Sequence, residues 1–163
     1  MSVPDNSNKR LIEGIVLLLR EQVDGWSTSS EFGVENVWST GVPGSVKDEF
    51  PRGAVDTFAA NDFELSVELD VQLREVFVRV VVFSESSGQA ETLRDDAEDA
   101  ITDHWEDTAN NPKADWEVDQ YTGNWSFREL DGMTNLNEDE GEENKLRYNR
   151  STEMVFEVVK TND

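Results

Sequence analysis

The chain has 163 residues, of which 36% are hydrophobic and five are tryptophan, enough for one domain with its own core. Its 36 acidic residues against 14 basic ones give a formal net charge of -22, which weighs against any duplex-DNA binder that works by phosphate neutralisation. With no cysteine there is no disulfide, thiolate nucleophile or sulfur-ligated metal, and the longest apolar run, around Leu17-Leu18-Leu19, is too short to span a bilayer.

The polar start MSVPDNSN (1–8) reads as an N-terminal arm, and no signal peptide precedes the first helix, so the expectation is a soluble protein made in the cytoplasm. KRLIEGIVLLLREQV places Leu11, Ile12, Ile15, Val16, Leu18, Leu19 and Val23 on one wide apolar face: a helix begun by Ser7 or Asn8 and stopped near Gly25. Residues 26–50 set Trp26, Phe32, Val34, Val37 and Trp38 among Gly, Ser and Pro43-Gly44, which predicts a strand or two and a loop. FPRGAVDTF (50–58) reads as a short strand. NDFELSVELDV then alternates Phe63, Leu65, Val67 and Leu69 against Glu64, Ser66, Glu68 and Asp70, a second, half-buried strand. REVFVRVVVFSE is apolar on both faces except for Arg79, as in a central strand or one covered twice.

Ser86-Ser87-Gly88-Gln89 forms a capping box that opens a second helix, and Asn110-Asn111-Pro112 closes it. ADWEVDQYTG and NWSFRELDGM read as two strands joined around Gly123, residues 135–145 as a mobile acidic loop, and RSTEMVFEVVK as a last strand. Helix, strands, helix, strands is the order of a single α+β domain over 1–163, with a mostly antiparallel sheet and two helices packed on one face.

The second helix contains DDAEDAITDHWED, which surrounds the single histidine, His104, with carboxylates. At about 100° per residue, Ala90, Leu93, Ala97, Ile101, His104 and Thr108 fall on one stripe, so His104 belongs to the buried face. Only Asp107, at i+3, could share a ligand with it, whereas a transition metal needs three or more converging donors. His104 is therefore expected to be a core or interface histidine hydrogen-bonded to backbone or carboxylate. Asp95, Asp99 and Asp103 repel one another at i, i+4 unless salt screens them, and molar salt screens charge within about 3 Å. Five lysines against nine arginines lean the same way, and the composition reads as that of a halophile's protein with a solvated acidic surface.

NLNEDEGEEN fails as a calcium loop, because neither Asn135 nor Leu136 as first residue gives the required glycine and glutamate. GxGxxG, phosphate-loop and GxSxG signatures are absent, and no catalytic residue, metal or cofactor is expected. The sequons at Asn124 and Asn149 fall in predicted strands and are expected to be unmodified. Arg79 should pair with Glu64 or Glu68 across the sheet, or else face a subunit interface.

An N-terminal helix, the proline-bearing strand Phe50-Pro51-Arg52, VFVRVVVFSESS running directly into SGQAETLRDDAEDAITDHW, and a meander ending in NRSTEMVFEVVK together resemble the tail terminator proteins of long-tailed viruses, of the lambda type, across residues 9–160. The resemblance implies a virion structural protein of a halophilic archaeal virus, a homohexameric ring that caps the tail tube and connects it to the head and neck. Its partners would be its own copies, the tail tube protein and a neck or head-completion protein. DNA would pass through the bore without specific binding, and no membrane would be involved. Trp26 to Asp48 and Asn135 to Lys145 depart from a minimal version of the family and read as peripheral insertions or contacts with neighbours. Candidate contact residues are Arg52, Arg79, Asn135, Glu138, Glu140, Glu142 and Lys145. The alternatives are another neck or head-tail adaptor of the same virion, a cytoplasmic binding module of a halophile, and a metal-assisted hydrolase built on His104 and Asp107.

Overall fold

The structure, a computed structural model, describes residues 7–39, 43–46, 48–66, 71–110, 126–140 and 146–161. The apolar stripe of the first segment forms helix α1 (Ser7–Gln22), whose Leu11, Ile15, Leu18 and Leu19 are fully buried. The chain leaves it through Gly25 at φ 101°, a conformation that side chains disfavour. Trp26 then folds back, and its Nε1 donates to the Leu19 carbonyl at 3.2 Å.

The following segment is held by one buried side chain. Asn36 donates through Nδ2 to Ser27 Oγ (3.1 Å) and to the Glu49 carbonyl (2.9 Å), while its own carbonyl accepts from Gly53 N at 2.9 Å. These bonds tie Ser27, Asn36, Glu49 and Gly53 together and deliver β1 (Val37–Ser39) to the sheet after a Thr28–Glu35 bridge.

The remaining elements are β2 (Arg52–Ser66), β3 (Val71–Ser84), α2 (Ser87–Asn110), β4 (Ser126–Glu140) and β5 (Leu146–Thr161). The described strands form one sheet in the order β1-β2-β3-β5-β4, with β1 parallel to β2 and the other neighbours antiparallel. Both described helices pack on the same face, so the architecture is α+β. Their apolar stripes close over Val55 of β2, Val76, Val78, Val80 and Val82 of β3, and Met154 and Phe156 of β5. Alternation along each strand sends the residues between these to the opposite side.

The capping box is present in a relayed form. Gln89 N donates to Ser86 Oγ (3.4 Å), but the return bond runs through Ser84, whose Oγ accepts from Ser86 N (3.1 Å) and donates to Gln89 Oε1 (2.6 Å). A hydroxyl at the end of β3 thus ties the strand to the first turn of α2.

Three expectations require correction. The two strands expected over 50–70 are one, β2, because a bulge between Thr57 and Ala59 absorbs the slip in alternation that looked like a break. The acidic loop is partly strand: Asn135, Glu138 and Glu140 lie in β4, whose backbone pairs Asn135 with Arg150 and Glu140 with Leu146, and ladder pairing overrides the poor strand propensity of these residues. Arg79 does not pair with Glu64. Register puts Glu64 opposite Gln72, whereas Asp56 and Glu153 flank Arg79, and Glu68 lies outside the described residues. The strand expected over 114–123, together with Glu142, Lys145 and the sequon asparagine Asn124, also lies outside them.

Candidate interaction face

The side of the sheet opposite the helices is built by rows of paired residues. One row is Trp38, Ala54, Val81 and Ser151, and the rows flanking it contain Arg52 with Phe83 and Asp56 with Arg79 and Glu153. The bulge adds a further row in which Phe58 and Ala59 both oppose Phe77. An irregularity that hid the strand in the sequence therefore brings an extra aromatic ring to this face.

Arginines lie flat on these rings. The Arg79 guanidinium sits 4.7 Å from the Phe58 ring centre, and its Nε and Nη2 donate to Glu153 Oε1 at 3.1 and 3.0 Å. Arg52 lies 4.7 Å from both the Phe50 and Phe83 rings. From α1, Arg20 covers the Trp38 ring at 4.8 Å while its Nε donates to the Val37 carbonyl at 2.9 Å. Burial pushes the Arg20 guanidinium below its usual range. Phe32 stands edge-on to Trp38 at 5.4 Å, and Phe58 lies 5.8 Å from Phe77. Each such stack contributes roughly 0.5–1 kcal/mol when exposed and more when desolvated.

This face stays open along β1 to β3. Phe32 (50% exposed) and Phe58 (41%) are the large apolar side chains most open to water among the described residues, and Trp38, Phe77, Val81 and Phe83 are half-buried around them. Towards β5 it closes, since Ser151 and Val155 are buried.

Of the candidate contact residues, Arg52 and Arg79 share this face, whereas the β4 candidates belong to a different strand at the sheet margin. Arg20, Trp38, Phe32 and Phe58 were missed. The available signal was a basic residue in the last turn of α1 and a phenylalanine flanked by small and polar residues, neither of which reveals a shared face without the register.

His104 is 2% exposed on the core side of α2, with its ring 4.9 Å from Trp105, whose own ring lies 4.7 Å from Phe156. The acids of α2 divide by side. Glu98 turns to the sheet and accepts from Thr152 Oγ1 at 2.9 Å, and Glu91 meets Arg150 at 3.5 Å, while Asp96, Asp99 and Asp103 point into solvent. Among the described residues no three His, Asp or Glu converge as a metal set, and no helix is long and apolar enough to cross a membrane.

No protein-family profile matches the chain, and no curated protein matches it in sequence.

Proposed function

We propose that this chain is a structural protein of the virion of a tailed virus infecting a halophilic archaeon, forming a ring of identical subunits that caps the tail tube and joins it to the neck. The observation that carries this reading is the arginine–aromatic face. A monomer of net charge -22 is kept hydrated by its carboxylates and gains nothing from leaving Phe58, Phe77, Trp38 and Phe83 half-open. Interface cores favour these residue types, aromatic rings with arginine. The order in which β3 runs into α2 and the chain returns as β4 and β5 also fits the pattern on which the terminator resemblance rests.

In this role the chain has no catalytic residue and no cofactor. It contacts its own copies, the tail tube protein and a neck or head-completion protein, and DNA passes its acidic bore without specific binding. The test is molar mass by light scattering after size exclusion in about 3 M KCl, where exposed charges are screened within about 3 Å. A discrete closed oligomer, or a monomer that becomes one when tail tube protein is added, supports the proposal. A concentration-independent monomer in both conditions overturns it.

A further inference from the structure

We infer that the arginine–aromatic face of one copy is covered by the outward side of helix α2 of the next copy, in a head-to-tail contact; this rests on the ring reading above. A ring needs two different surfaces on each subunit, placed so that one contact repeats until it closes. The open sheet face and the outward side of α2 lie on opposite sides of the same sheet, because α2 packs on the face that contains Val76 to Val82.

Charge selects the pairing. Asp96, Asp99 and Asp103 recur at i, i+3, i+7 and form one exposed ridge on α2. In a chain with 14 basic residues, Arg20, Arg52 and Arg79 all lie over rings of the opposite face. Arg79 gives Nε and Nη2 to Glu153, and Arg20 gives Nε to the Val37 carbonyl; a guanidinium carries five N–H donors in a fork that matches a carboxylate, more than these bonds use. Two copies meeting sheet face to sheet face would instead set the mixed row of Asp56, Arg79 and Glu153 against its own copy, whereas the ridge offers the arginines carboxylates alone. At molar salt only direct ion pairs survive screening, and packing a helix over half-buried rings supplies the desolvation that strengthens them.

The experiment uses two variants of the full chain in about 3 M KCl. One combines Asp96→Asn, Asp99→Asn and Asp103→Asn; the other combines Phe58→Ser and Arg79→Gln. The wild type should run as the ring and each variant alone as a single chain. An equimolar mixture should give a discrete two-chain species, because the intact ridge of one variant covers the intact face of the other. Circular dichroism and thermal unfolding confirm that each variant is folded, and the helix variant changes exposed positions only. If both variants still form the ring, this contact is wrong while the ring reading stands. If the variants are monomeric but the mixture stays monomeric too, these two surfaces do not meet each other. A wild type that stays monomeric both with and without tail tube protein would overturn the ring itself.

Discussion

The two sides of β3 differ in what they are for. On one, Val76, Val78, Val80 and Val82 are fully buried under the helices; on the other, Phe77, Arg79, Val81 and Phe83 alternate with them yet stay half-open. Full burial of an aliphatic side chain contributes about 1.5–3 kcal/mol, so the valine row is where this strand gains its stability. The other row contributes less to the fold, and its rings and guanidiniums are the kind that bind a partner. One strand can thus hold a core and a contact surface, because side chains alternate with a period of two.

The largest expected effects lie on the helix side. Phe156→Ala removes a fully buried ring that packs on Trp105 and should lower unfolding stability by about 3–5 kcal/mol, read by denaturant titration at molar salt. Gly53→Ala tests the same side at a tighter point. A Cβ there would meet the Trp26 ring at 3.1 Å, and that ring is buried and anchored to the Leu19 carbonyl, so it has little room to give. A loss of about 1–3 kcal/mol is expected; a neutral or stabilising result would show that this corner is looser than the valine row. Next comes the junction between strand and helix. Ser86→Ala removes the cap on Gln89 N and should cost about 1 kcal/mol, a loss that Ser86→Thr should largely restore.

The helix side was legible in the sequence because its signals are local. The stripe of α1, the alternation of β3, the Ser86–Gln89 box and the inward position of His104 each follow from spacing along one segment. The open face was not legible, because each of its features depends on register between segments. Arg79 has several acids within plausible reach, and pairing alone decides that Glu153 takes it. Phe58 reads as the end of a strand until the bulge shows that β2 continues through it. Asn135 to Glu140 look like loop by composition, and become strand only because β5 is there to pair with them.

The smallest expected effect on stability belongs to Arg79→Met, and it tests the comparison most sharply. The Arg79 side chain is 38% exposed, so its ion pair with Glu153 is solvent-screened and should be worth at most about 1 kcal/mol, less still at molar salt. Methionine keeps much of the apolar stem that packs on Phe58 while removing the charge. The unfolding midpoint should therefore barely move. Self-association should weaken clearly, because the substitution leaves a carboxylate of the covering copy's ridge desolvated at the contact without its guanidinium partner. A loss of several kcal/mol in the isolated chain would instead make the Arg79–Glu153 pair part of a second core, and the two sides of β3 would then do the same work.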